Sequence, residues 1–113
     1  RIAQTYNQLL KGIGDLLLPT TAEGASHVYH LYVIRTNSRD ELQRHLSENE
    51  IGTLIHYPVP IHLQQAYAFL SHQQGQFPKA EEIAGTCLSL PLWPGMTEDQ
   101  IKHIAEVIRT FNF

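Results

Sequence analysis

The chain has 113 residues, a length that suits one domain with a single modest core. Hydrophobic residues make up 42% and charged residues 17% of it, a globular rather than a disordered composition. The formal net charge is -3 without any cluster of Lys or Arg, so nucleic-acid binding is not expected, and no apolar run approaches the ~20 residues of a membrane span.

A helix is predicted over Ile2–Leu10, because apolar residues recur there on one helical face. Gly12 and Gly14 follow and end it. This helix has no capping residue ahead of it, and the chain opens on Arg1 rather than Met. We therefore expect an excised domain of a longer protein.

A nearly continuous run of Val, Ile and Tyr residues predicts a central strand over His27–Thr36. The tetrapeptide that begins at Ser38 has the pattern of a capping box, which predicts a helix from Ser38 to about Asn49. On this helix Leu42 should face inward and Arg39 should lie in solvent.

The second predicted strand is Thr53–Tyr57, which ends at a rigid Pro-Val-Pro corner. A helix over Ile61–Leu70 should follow, with Leu63, Ala66, Tyr67 and Leu70 on one side. The polar, Gln-rich segment Ser71–Phe77 is predicted to be a loop and the most mobile region of the chain.

Three further elements complete the chain. We predict a helix over Pro78–Thr86 with Ile83 turned inward, a strand over Cys87–Leu92, and a last helix that begins in a capping box at Thr97. The apolar residues of the last helix recur at helical spacing and should form one buried stripe.

The order of these elements predicts an α+β fold of two layers, in which helices cover one face of a small sheet of about three strands. Residues 1–113 are expected to form a single domain. Cys87 is the only cysteine, so a disulfide within the chain is excluded and a reducing, cytoplasmic compartment is expected. Its apolar strand favours a small buried side chain over a reactive thiol.

The best candidates for ligand contacts surround the Pro-Val-Pro corner. His56 lies at the end of the predicted strand and His62 just beyond the corner, where a rigid turn can hold a side chain against a ligand. Two interpretations of His56 stay open: a histidine hydrogen-bonded to a neighbouring carbonyl, or a donor aimed at an anionic or hydroxyl-bearing ligand. His62 is the weaker candidate, and Tyr57 could point the other way, into the core.

The residues alone do not give a complete catalytic set. Seven histidines invite a metal hypothesis, but no carboxylate or Cys lies close to His56 and His62 in sequence to complete a ligand set, so no metal site is expected. Neither a nucleophile elbow nor a Gly-rich phosphate loop occurs. The three lysines, Lys11, Lys79 and Lys102, lie on predicted helices among polar neighbours, and none is expected to form a Schiff base.

Two motifs carry a resemblance to a known family. Gly52–His62, GTLIHYPVPIH, follows the pattern G-x-x-x-H-Y-x-x-P-x-H, and Ser89–Thr97 reads SLPLWPGMT. Together with the upstream strand HVYHLYVIRT, and in this order, they resemble the C-terminal domain of the DegT/DnrJ/EryC1/StrS aminotransferases over nearly the whole chain.

The resemblance implies a mainly antiparallel sheet, as in the small domain of enzymes with the aspartate-aminotransferase fold. Such enzymes use pyridoxal phosphate (PLP) to aminate keto sugars attached to nucleotides, usually with glutamate as amino donor, and are typically homodimers. The large N-terminal domain carries the Schiff-base lysine, the aspartate that pairs with the pyridine nitrogen and most phosphate contacts, while the small domain covers the active-site cleft.

For this chain the resemblance implies that His56 lines the sugar-nucleotide side of the site, with Tyr57 and His62 nearby as further substrate contacts. It also implies that the isolated chain is inactive, carries no catalytic residue and binds no PLP by itself. Two alternatives stay open: a stand-alone α+β ligand-binding or regulatory module, and a domain that serves dimerisation only.

Overall fold

Four α-helices and two β-strands form the regular structure of the computed structural model, which describes residues 1–113. Two short 3-10 helices, Ile61–Leu63 and Gln65–Leu70, lie in the second half of the chain. The other elements, in chain order, are α1 (Ile2–Leu10), β1 (Tyr32–Arg35), α2 (Arg39–Glu48), α3 (Pro78–Thr86), β2 (Cys87–Leu90) and α4 (Glu98–Arg109).

The sheet is antiparallel and consists of β1 and β2. β1 pairs with β2 so that Val33 stands opposite Ser89. Single bridges extend the sheet on both sides, from Leu17 to Arg35 of β1 and from Leu54 to Ser89 of β2. The predicted α+β architecture is confirmed, with two regular strands in place of about three.

The first predicted strand is shorter than expected. His27–Thr36 was predicted from its β-branched and aromatic composition, but only Tyr32–Arg35 pairs. Tyr29 adopts a φ of 51°, a left-handed conformation that an extended strand cannot contain, and Val28 is 89% exposed. Because β propensity mainly reports packing against neighbours, a segment without neighbours does not become a strand.

The other two predicted strands are also shorter than expected. The segment Thr53–Tyr57 contributes only the bridge at Leu54. The strand predicted over Cys87–Leu92 ends at Leu90, just before Pro91. Since proline has no N–H to donate, this strand cannot continue its hydrogen-bonded ladder past Pro91.

One hydrophobic core joins the sheet to α1, α2 and α4. The predicted stripe of α4 is confirmed, because Ile101, Ile104 and Ile108 are buried. Tyr6 of α1 and Tyr32 of β1 stack with ring centroids 4.8 Å apart at the other side of this core. Burial raises the pKa of both phenols, so both hydroxyls stay protonated and act as hydrogen-bond donors.

The two predicted capping boxes behave differently. At α4 the box is formed: the N–H of Gln100 donates to Thr97 Oγ1 at 3.3 Å, and the N–H of Thr97 donates to Gln100 Oε1 at 2.9 Å. At α2 it is not formed, because the Ser38 side chain caps nothing. Asp15 holds the residues just ahead of α2: it accepts hydrogen bonds from the Thr36 hydroxyl and from the N–H of Asn37, the latter at 2.9 Å.

The prediction that Arg39 lies in solvent is wrong. This residue is only 9% exposed, and its Nη1 donates to the carbonyl oxygens of Ala84 at 3.1 Å and Cys87 at 3.2 Å. It therefore ties the start of α2 to the junction between α3 and β2. A sequence pattern cannot reveal this role, because the acceptors are two carbonyls more than forty residues away.

The segment after the Pro-Val-Pro corner departs furthest from expectation. One helix over Ile61–Leu70 was predicted, but two 3-10 helices form and neither has a buried residue. Ile83 of α3, predicted to face inward, is 45% exposed. Nothing in the chain covers these side chains. None of the helices combines the length and apolar character needed to cross a bilayer.

Candidate functional site

His56 is held against β2 at two points. Its Nδ1 lies 2.8 Å from Ser89 Oγ, and its backbone carbonyl accepts a long contact from Cys87 Sγ at 3.8 Å. Cys87 and Ser89 are two residues apart on a strand, so their side chains share one face of β2. The bridge from Leu54 to Ser89 brings His56 to this face.

The outer side of His56 is free. Its Nε2 makes no hydrogen bond within the chain, and the single buried side-chain nitrogen or oxygen without a partner is Arg35 Nε, so Nε2 of His56 reaches solvent. The first interpretation paired His56 with a neighbouring carbonyl, whereas in the structure the partner of its Nδ1 is the hydroxyl of Ser89. One ring nitrogen is anchored to a hydroxyl, and the other is available to a ligand.

Tyr57 points away from the core. It was expected that this ring could turn inward, but it is 71% exposed and meets the His56 ring edge-on with centroids 5.3 Å apart. The exposed ring of Tyr57 therefore stands beside the imidazole of His56. Together the two side chains offer a flat apolar face and two polar groups to an incoming molecule.

His62 occupies a more enclosed position than His56. Its side chain is only 8% exposed, its Nε2 lies 3.0 Å from Glu81 Oε1, and its ring packs against Phe77 with centroids 4.8 Å apart. Glu81 also accepts two hydrogen bonds from the N–H of Gly75, at 2.8 and 3.0 Å. Burial alone raises the pKa of Glu81, but the hydrogen bonds from His62 and Gly75 outweigh it and lower that pKa.

A groove of about 530 Å³ runs along this side of the molecule. Its walls are mainly apolar. Val59 of the Pro-Val-Pro corner and Ile61 of the first 3-10 helix line it, together with Phe77 from the loop ahead of α3 and Ile83 of α3. Tyr57 and His62 both line the groove, whereas His56 stands outside it beside Tyr57. The structure thus brings two of the three predicted ligand contacts into one cavity and places the third at its margin.

The lysines of this chain lie outside the groove. A Schiff base needs a desolvated lysine, and Lys11, Lys79 and Lys102 are all exposed, with Lys79 Nζ paired to Glu82 at 2.8 Å. No Lys or Arg lines the groove to receive a phosphate. No three His, Cys, Asp or Glu side chains are grouped as a metal site.

Two residues of this site escaped the sequence analysis. Ser89 is the polar residue in an otherwise apolar strand, and it is 5% exposed. That contrast is a signal that could have identified it, because a buried hydroxyl requires a partner. Glu81 had no such signal, since it was one of two adjacent acidic residues on a predicted helix.

Comparison with known proteins gives a consistent result. The model of a family described as the DegT/DnrJ/EryC1/StrS aminotransferase family matches residues 1–109. The "Pleiotropic regulatory protein" of Geobacillus stearothermophilus is 44% identical over 111 residues, which cover 96% of this chain and 30% of that protein. The "dTDP-3-amino-3,4,6-trideoxy-alpha-D-glucose transaminase" of Streptomyces venezuelae is 41% identical over 108 residues, which cover 96% of this chain and 28% of that protein.

A solved structure agrees with these relatives. The crystal structure of S. venezuelae DesV in complex with a ketimine intermediate superposes with a TM-score of 0.92 at 41% identity, over 96% of this chain and 29% of that one. The chain therefore spans about 30% of the length of the proteins that it matches.

Proposed function

The chain belongs to the DegT/DnrJ/EryC1/StrS aminotransferase family, and we propose that it is the C-terminal small domain of a longer enzyme that aminates a nucleotide-linked keto sugar. One observation carries this proposal. The chain superposes on part of DesV with a TM-score of 0.92, and that part makes up only 29% of DesV. A match of this kind is what one domain of a larger enzyme would give.

The chemistry of the groove supports the same division. Transamination needs PLP as an electron sink and a lysine to hold it. The three lysines of this chain are exposed and lie outside the groove, so the reactive amine must belong to residues that this chain does not contain. The chain alone is then inactive. Its part in the enzyme is to cover the cleft and contact the substrate.

The exposed apolar side of the molecule fits a covering role. Ile61 is 67% and Phe69 78% exposed, and both belong to the 3-10 segment in which no residue is buried. Monomeric proteins rarely leave such clusters in water. In the longer enzyme the large domain or a second subunit would bury this side. The Pro-Val-Pro corner would then lie at a domain or subunit boundary. We extend the proposal to a homodimer in the cytoplasm, on the family resemblance alone.

Three side chains would contact the sugar nucleotide. His56 would donate from Nε2 to a hydroxyl or phosphate oxygen, because Nδ1 is engaged by Ser89. Tyr57 would lie against the sugar with its exposed ring. His62 contributes from the groove wall, where Glu81 already holds its Nε2. Glutamate is the amino donor proposed for the reaction.

The experiment uses the longer protein in which this chain is encoded. Purified with PLP, it should convert nucleotide-linked keto sugars to amino sugars with glutamate and release 2-oxoglutarate. Substrates that differ in the keto position would identify the carbon that is aminated. A longer protein that binds no PLP, or that transfers no amino group to any nucleotide sugar, would contradict the proposal.

A regulatory role is the second candidate, and one observation favours it. The relative that is 44% identical carries the name "Pleiotropic regulatory protein". In this case the exposed corner and groove would bind a ligand or a second copy without PLP. Equilibrium sedimentation of the chain tests the binding of a second copy. A monomer at all concentrations argues against self-association through this domain alone.

A further inference from the structure

Ser89 is a buried hydroxyl with one partner. Its backbone N–H and carbonyl are both used by Leu54, at 2.8 and 3.3 Å. Its side chain is enclosed, with the residue only 5% exposed, and the single hydrogen bond of its Oγ is the one to His56 Nδ1 at 2.8 Å. His56 is therefore the one hydrogen-bond partner of the Ser89 hydroxyl within the chain, whether the hydroxyl donates or accepts.

The bond between the two side chains can run in either direction. If His56 Nδ1 carried the proton and donated it to Oγ, the hydroxyl proton of Ser89 would remain in the interior without an acceptor. If Ser89 donates to an unprotonated Nδ1, the buried hydroxyl is satisfied and the imidazole proton resides on Nε2. Because buried donors are nearly always paired, the second arrangement is favoured.

We infer that Ser89 is a positioning residue, which holds neutral His56 in the Nε2–H tautomer and so makes it a hydrogen-bond donor towards the substrate. The inference rests on the proposed function for the identity of the ligand, a sugar nucleotide whose hydroxyl and phosphate oxygens accept hydrogen bonds. The tautomer itself follows from the chain alone.

The surroundings of His56 strengthen this effect. The bridge from Leu54 to Ser89 and the contact from Cys87 Sγ to the His56 carbonyl fix the backbone on the same strand that holds the ring. With the backbone fixed, the hydrogen bond from Ser89 is what sets the orientation of the ring. A ligand that binds to Nε2 meets a donor that is already oriented, and little side-chain freedom is lost on binding.

The first experiment reads the tautomer directly. The chain is labelled with 15N-histidine, and long-range 15N–1H correlation spectra are recorded at pH ~8, above the ~6.5 at which an ordinary histidine titrates. His56→Gln identifies the His56 signals. The wild type should show the Nε2–H form, and Ser89→Ala should shift His56 to a mixture of both forms. Ser47→Ala, which removes an exposed serine hydroxyl on α2, should change nothing. An Nδ1–H form in the wild type, or an unchanged His56 spectrum in Ser89→Ala, would overturn the inference.

The second experiment measures the consequence in the longer enzyme. Ser89→Ala should raise the KM for the sugar nucleotide by about threefold to tenfold, because an oriented donor is lost, and should leave kcat nearly unchanged. In a His56→Gln background, where Gln can offer an amide donor but has no Nδ1, the same change should alter KM less than about twofold.

The outcomes separate this inference from the function on which it rests. If His56→Ala leaves the KM unchanged, the substrate contact proposed for His56 fails, while the Nε2–H tautomer in the spectra still supports the pairing with Ser89. If His56→Ala raises the KM and Ser89→Ala does not, His56 binds substrate without help from Ser89 and the inference is wrong.

Discussion

Glu81 joins His62 to the Gln-rich loop. One of its oxygens lies 3.0 Å from His62 Nε2, and the same carboxylate accepts two hydrogen bonds from the N–H of Gly75. The loop Ser71–Phe77, which the sequence predicts to be the most mobile region, is thus attached to the groove wall through Gly75. Gly75 can make this approach because its φ of 90° is one that a side chain disfavours.

Removing this attachment should release the loop. We expect Glu81→Ala to accelerate proteolytic cleavage and amide exchange within Ser71–Phe77, with the core unaffected. Glu48→Ala, which removes an exposed carboxylate from α2, is the matched control. Equal protection of the loop in Glu81→Ala and in the wild type would show that the contact contributes nothing to its order.

The same carboxylate should make the loop sensitive to acid. The pKa of Glu81 is lowered in the folded chain, so the ionised form is favoured by folding. The contact should be fully present above the ordinary glutamate value of about 4.3 and should be lost as the pH falls through the lower folded pKa. The protection of the Gly75 amide, which is the intrinsic exchange rate at each pH divided by the measured rate, should fall in that acidic range when followed between pH 7 and pH 3. A fall already complete at pH 6 would assign the effect to another group.

Arg39 should be among the most sensitive positions for stability. Arg39→Ala would leave the carbonyls of Ala84 and Cys87 without their donor, a loss of about 1 to 3 kcal/mol in the free energy of unfolding. Urea denaturation measures it, with Arg44→Ala, an exposed arginine of the same helix, as the control. A loss equal to that of the control would show that the buried contacts contribute nothing.

The start of α2 gives a test of which side chain stabilises it. Asp15→Ala removes the acceptor of the Thr36 hydroxyl and of the Asn37 N–H, and should cost about 1 kcal/mol in the free energy of unfolding. Ser38→Ala should cost almost nothing, although the sequence pattern favours Ser38, because its side chain caps nothing. Thermal unfolding measures both losses of stability. A larger loss for Ser38→Ala than for Asp15→Ala would show that Ser38 caps the helix.

Adding PLP to the chain should not produce the absorbance of an internal aldimine. The three lysines are exposed, and a solvated amine lacks the environment that stabilises a specific Schiff base. Borohydride reduction followed by peptide mass mapping is the decisive measurement. Stoichiometric labelling of Lys11, Lys79 or Lys102 would contradict the view that the reactive amine lies outside this chain.

Local patterns predicted the parts of the fold that depend on local interactions. α1, α4 and the cap at Thr97 are set by residues within a few positions of one another, and they form as expected. Arg39 was misplaced because its partners are distant carbonyls. The segment Ile61–Leu70 was misplaced because an apolar side normally indicates a core within the same chain, and here nothing in the chain covers it.

The candidate site was predicted in its residues but not in its geometry. The spacing around the Pro-Val-Pro corner identified His56, Tyr57 and His62. It could not show that Ser89 binds one nitrogen of His56, or that Glu81 holds His62. Both partners come from elements far along the chain, and only the register of β2 and the position of α3 bring them there.

The most direct test of the proposed role is the kinetics of His56→Ala in the longer enzyme. The substitution should remove a hydrogen bond to a charged or polar substrate group, which contributes about 1.5 to 3 kcal/mol. That loss corresponds to a rise of roughly tenfold to a hundredfold in the KM for the sugar nucleotide. The absorbance of bound PLP should be retained. Sugar-nucleotide kinetics identical to those of the wild type would contradict the account.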